Sequence, residues 1–197
     1  MLEQRPRLRI YADSTRTSLL VYILIASLSV TFLAIFAAYI IRFIVIGNST
    51  VSLEDLPILF WWSTGFLFTG SYFLSRAYAL VQREKQKQFR VALSISLFLA
   101  AAFCVVQTIG CLQLLDQHWG QPALQKSSLA TIMVLVTLHV AHFVAGFIAL
   151  IFVTIKAHQG RYDHEYAHGV RLAKLYWRFL DIVWIAMVGL FWVASRS

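Results

Sequence analysis

Residues 18–41 read SLLVYILIASLSVTFLAIFAAYII, a stretch holding no Asp, Glu, Lys or Arg. About 20 apolar residues cross a hydrocarbon core of about 30 Å, and backbone groups placed in lipid must find their partners within the segment itself. The stretch therefore reads as a membrane-spanning helix. Four more follow, at 58–75, 91–115, 127–155 and 175–195, and only the last carries charge, at Arg178 and Asp181. None alternates apolar with polar residues as the strands of a membrane barrel do. The fold class is all-α: a polytopic membrane protein, a bundle of five transmembrane helices. The second span reaches Gln82 if Arg76 snorkels to the interface. The helices then occupy about 18–46, 58–82, 91–115, 127–156 and 174–195 of a single membrane domain, 1–197, with 1–16 as a cytoplasmic amino tail.

Composition agrees. Of the 197 residues 59% are hydrophobic and 13% charged, with a mean hydropathy of +0.71; soluble domains carry roughly 25% charged residues. The formal charge of +8 is distributed by side. Arg5, Arg7, Arg9 and Arg16 precede the first span. Arg83, Lys85, Lys87 and Arg90 follow the second, and Lys156, Arg161, Arg171 and Lys174 follow the fourth. The opposite connections hold Lys126 against Glu54, Asp55 and Asp116. Basic loops face the cytoplasm, so the amino terminus is expected inside and the carboxyl terminus outside. Spread over three short loops, the positive charge does not build a nucleic-acid surface. The first run is longer than the 7–15-residue apolar core of a signal peptide and reads as a retained helix.

Short loops force antiparallel neighbours. Cys104 and Cys111, seven apart on one helix, cannot pair with each other. His158, His164 and His168 share the longest polar connection with no fixed third ligand beside them, and read as a solvated face. Ionisable groups inside the spans are few: His139, His142, Arg178 and Asp181. His139 and His142 lie i, i+3 and share a side, with Gly146 four residues on and Ala141, Ala145 and Ala149 as a stripe of small residues. Close helix approach with interhelical hydrogen bonds from the histidines is the expectation. A haem held between helices takes its ligands from two of them, and no second span offers a histidine. In 176–184, YWRFLDIVW, Arg178 reads as an inner-leaflet group that meets an anionic lipid or Asp181, while Tyr176 and Trp177 read as lipid or interface anchors. Lipid exposure of Asp181 would cost about 2.5–3.5 kcal/mol, so its carboxyl should face protein.

These residues also resemble subunit III of the haem-copper terminal oxidases (cytochrome c and quinol oxidases), in the short five-helix bacterial form. The final helix of that family runs approximately Y-W-H-F-V/L-D-x-V-W, against YWRFLDIVW here, which includes Asp181 and Trp184. The helix before it runs H-G-x-H-V-x-x-G, against HVAHFVAG with His139, His142 and Gly146. The second helix resembles the family in Leu56, Pro57, Ser63, Thr64 and Thr69 to Ser71, and the third in FCVVQ, with Gln107 at the family's Q-x-x-E position. The departures are Arg178 for the usual histidine, Gly110 for the acid after Gln107, and Leu28 where the first helix usually has an acid. In the family that last carboxylate is tied to proton uptake.

The resemblance implies a subunit of an aerobic respiratory complex, a cytochrome c oxidase in first expectation, in the bacterial cytoplasmic membrane that moves electrons to oxygen and pumps protons. It implies no haem, copper or catalytic centre in this chain, those belonging to partner subunits I and II, with phospholipid bound beside subunit I. An accessory subunit of a nitric oxide reductase belongs to the same family. A small transporter or proton channel built on His139, His142 and Asp181 is the rival from another class.

Overall fold

The computed structural model describes residues 5–46, 58–118, 123–160, 162 and 167–196, with side chains at 15–41, 61–110, 112–113, 134–160, 162 and 167–190. The described chain is all-α: α1 (Arg5–Ile46), α2 (Ile58–Gln82), α3 (Gln86–His118), α4 (Ala123–His158) and α5 (His168–Arg196), with no strand among the described residues. Three of the helices have stretches long and apolar enough to cross a membrane, Thr15–Ile41, Gln86–Gly110 and Val134–His158. Every helix except α2 begins earlier than hydropathy marks. Hydropathy locates entry into lipid, whereas Arg, Lys and Gln such as those at 16, 86 to 90 and 171 to 174 are good helix formers and carry the helix beyond the apolar run. The expected amino tail is thus helical from Arg5. Leu56 and Pro57, the acidic loop residues Glu54 and Asp55, and Arg161 and His164 lie outside the described residues.

Lipid tails are as apolar as Leu, so these helices associate through close packing and hydrogen bonds and not through a hydrophobic drive between them. α2 and α3 form the tightest pair; α5 lies against α1, α2 and α4, and α1 sits on α4 and α5. The α2–α3 turn is held by Lys85 N–H to Leu80 O at 3.1 Å and Glu84 N–H to Val81 O at 3.1 Å, with Glu84 at φ 57°. That pairing, with a left-handed residue just past the helix, is a Schellman cap, here made without the glycine that usually fills it. Higher in the hairpin, Ser96 Oγ donates to Gly70 O at 2.9 Å, and both residues are buried.

α5 places Tyr176, Leu180, Val183, Trp184 and Met187 in the interior and leaves Leu175, Arg178, Ile182 and Ile185 outside. It packs tightly on α4 at Gly146, where an added Cβ would lie 2.8 Å from Tyr176 Cε1 and 3.1 Å from Leu180 Cδ1. At the basic end, Gln86 Nε2 donates to Tyr162 O at 2.9 Å, and Ser18 Oγ bonds His168 Nε2 at 2.8 Å. These two contacts tie the α4–α5 connection and the start of α5 to α3 and α1.

Candidate functional site

The residues picked out in sequence converge where α5 meets α2 and α4. Asp181 is buried, 6% exposed, and its Oδ2 accepts from Ser71 Oγ of α2 at 2.5 Å. Its Oδ1 has no hydrogen-bond partner. One turn on, Trp184 Nε1 donates to Thr64 Oγ1 at 3.0 Å; one turn back, Arg178 Nη2 donates to Ser75 Oγ at 3.4 Å. Three polar positions of α5 thus meet three hydroxyls of α2, forming a polar seam in an otherwise apolar bundle. The carboxyl faces protein, as its cost demanded, and Arg178 turns to Ser75, with no ion pair to Asp181.

Tyr176 and Trp177 correct the sequence reading. They are 8% and 2% exposed, inside the chain and not on its lipid side. Tyr176 Oη donates to His142 O at 3.0 Å, and Trp177 meets Phe143 edge-on at 5.5 Å between ring centroids. Depth along a helix follows from the distance to its charged end, but azimuth does not, and the buried arc of α5 includes both aromatics. Only Arg178, which is exposed, stays on the side expected of a lipid or interface group.

The histidines also depart from expectation. His139 and His142 do share a side, since both rings meet Phe32 of α1 edge-on, at 6.5 and 6.0 Å. Neither ring makes an interhelical hydrogen bond. His142 Nδ1 bonds the Leu138 carbonyl of its own helix at 2.5 Å, and the interhelical bond at that position uses the His142 carbonyl instead. His139, 2% exposed, stacks on Trp184 at 5.6 Å, and neither ring nitrogen has a partner. A helix supplies its own acceptor one turn back, which satisfies an imidazole more cheaply than a bond across an interface. Gly146 fulfils the close-approach role, but Ala141, Ala145 and Ala149 point outward.

Beside His139 lies a feature that sequence reasoning missed, a cleft of about 300 Å³ between α3 and α4 with Trp184 at its floor. Gln107, buried, and Cys104, partly buried, line it from α3. No periodicity signals such a cleft, because it depends on how far two helices splay. Leu28, where the family's first-helix acid would stand, is buried at 8% exposure, and Gly110 is buried on α3. Among the described residues no three His, Cys, Asp or Glu side chains gather as metal ligands. His158 Nδ1 bonds the Thr154 carbonyl at 3.0 Å, and His168 bonds Ser18.

No family model matches the chain. It is 26% identical over 139 residues to "Probable quinol oxidase subunit 3" of Staphylococcus saprophyticus, covering 71% of this chain and 68% of that protein. It is 26% identical over 142 residues, with the same shares covered, to the protein of that name from Staphylococcus aureus. These relatives carry the name of the subunit that the helix motifs resemble.

Proposed function

We propose that this chain is an accessory subunit of the subunit III type in a respiratory haem-copper oxygen reductase, with haem and copper held by partner subunits I and II. The observation that carries the reading is the seam along α5. The residues by which YWRFLDIVW resembles the family's closing motif are those that fix α5 to its neighbours: Tyr176 to α4, Asp181 and Trp184 to α2. The Staphylococcus relatives named as subunit 3 of a quinol oxidase support the same assignment and favour quinol over cytochrome c as the electron donor of the complex. The intramembrane polar groups serve packing in this reading. Asp181 and Trp184 are engaged by α2, and His142 by its own helix. The subunit's role is to stabilise subunit I during turnover and to hold phospholipid beside it, in a complex of the bacterial cytoplasmic membrane that couples electron transfer to proton translocation.

Purification in mild detergent tests the assignment. The chain is expected to co-purify with a haem-containing subunit I, and the complex to contain copper and consume oxygen with quinol. Haem without copper in the co-purified complex would point to a nitric oxide reductase instead. Isolation of the chain alone, carrying ion flux in liposomes that His142→Ala abolishes, would replace the proposal with the transporter reading.

A further inference from the structure

The α3–α4 cleft is not used by the assignment above. Its floor is aromatic, built from Phe103, Phe143 and Trp184, and its rim includes Val140 and Val144, which are exposed on the outer side of α4. At about 300 Å³ it stands at the lower end of the range for small-molecule pockets, which are mostly apolar with a few fixed polar groups. That volume admits a ring or a stretch of acyl chain and is far too small for a helix. An occupant entering between these helices comes from the hydrocarbon, so it is neutral and membrane-soluble.

His139 supplies the second requirement. A neutral imidazole carries one N–H and one lone pair, and buried polar groups are paired in nearly all native structures. Here both nitrogens lack a partner, although His139 forms part of the cleft wall. The Phe32 and Trp184 rings packed on it present it no acceptor. His139 lines the cleft, and the χ2 torsion of histidine is broad, so its ring can adjust to an occupant there.

We infer that the cleft is a binding site for a neutral, membrane-soluble molecule bearing a carbonyl oxygen on an apolar body, with that oxygen accepting from His139 while the aromatic floor takes the body. Two membrane components share this chemistry, isoprenoid quinones and the ester groups of diacyl lipids. The inference holds whether or not the chain assembles with an oxidase.

Dipolar-dephasing NMR separates the two. The full chain, labelled with 15N-histidine, is placed in bilayers of diether phosphatidylcholine, which contain no carbonyl. The His139 signal is assigned among the six histidines by its loss in His139→Phe. One arm adds a short-tailed benzoquinone 13C-labelled at its ring carbonyls; the other adds diester phosphatidylcholine 13C-labelled at its ester carbonyls. Dephasing of a His139 ring nitrogen in either arm is expected, and the arm identifies the source. It should vanish in Val144→Trp, which plugs the rim and leaves His139 in place. No dephasing from either carbonyl in the folded chain, as when a partner subunit's side chain is the natural occupant, overturns the inference. So does dephasing that survives Val144→Trp.

Discussion

At the scale of single residues, the seam is sensitive because one side of it is already short of partners. Asp181 has one oxygen on Ser71 and one on nothing, so Ser71→Ala orphans the whole carboxyl. A buried group stripped of its partner costs about 1–3 kcal/mol, and that loss is expected in the unfolding of Ser71→Ala in detergent. Asp181→Ala should also destabilise, since it removes the acceptor from Ser71. The double variant should cost less than the sum, by a coupling of about 0.5–3 kcal/mol; additive losses would show that the two side chains do not act together. Gly146 is sensitive for a steric reason. Its new Cβ would meet the Tyr176 ring, which the bond to His142 O holds in place, so Gly146→Ala should cost about 1–3 kcal/mol through overpacking, read as a lowered melting temperature. That the carboxyl must face protein was legible from its cost in lipid. That its partner is Ser71 was not. α2 offers Ser63, Thr64, Thr69, Ser71 and Ser75 within one span, and sequence does not specify the rotation of one helix against another. The same missing azimuth placed Tyr176 and Trp177 on the lipid side when both are interior.

At the scale of elements, two helix ends use the left-handed conformation with opposite residues. Glu84 closes α2 at φ 57°, and Gly160 closes α4 at φ 70° with its N–H on Ala157 O. A side chain in that region costs roughly 1–2 kcal/mol, so Glu84→Gly should raise and Gly160→Ala should lower the melting temperature. High salt, which screens the charge interactions of Glu84, makes the comparison clean. The connection between α4 and α5 has its own probe. Tyr162 lies against Phe89 with its ring edge-on at 6.4 Å and its hydroxyl beside Gly169, and burial pushes its phenol above the ordinary value of 10.0. A phenol raised in the folded state contributes stability that is complete below the unfolded value and is lost as pH rises through the folded one. Alkaline titration at 295 nm should therefore show a late phase whose amplitude Tyr162→Phe reduces by one tyrosine, with the wild-type chain losing stability over that interval and the variant losing less. The existence and order of all five helices were legible, because apolar runs of this length, four of them uncharged, have no other stable form in lipid. Their starts were less legible, since Gln86 and His168 begin helices in polar sequence that hydropathy treats as loop.

For the whole molecule, the fold sorts charge by end. Arg16, the Glu84 turn, Gln86, Lys156, Tyr162, His168 and Lys174 belong to the ends and connections at one pole of the bundle, where α1 to α5 are tied by Ser18–His168 and Gln86–Tyr162. Five antiparallel spans put the two termini of the bundle at opposite poles. Cationic loops resist translocation, and the rule acts on short loops within about 15–20 residues of a span; the connection between α2 and α3 is shorter than that, and it contains Arg83 and Lys85. The basic pole should thus stay in the cytoplasm and the carboxyl end of α5 should emerge outside. Alkaline phosphatase folds only after export and green fluorescent protein fluoresces only when it stays inside, so the two reporters give opposite signals at each position. Fused after Ser197, phosphatase should be active and fluorescent protein dark; inserted in the Arg83–Lys85 turn, the signals should exchange. Replacing Arg83, Lys85, Lys87 and Arg90 with Gln should blur both patterns if charge sets the orientation. Unchanged patterns would assign it instead to packing of the assembled helices, and phosphatase activity at the turn of the unaltered chain would invert the topology altogether.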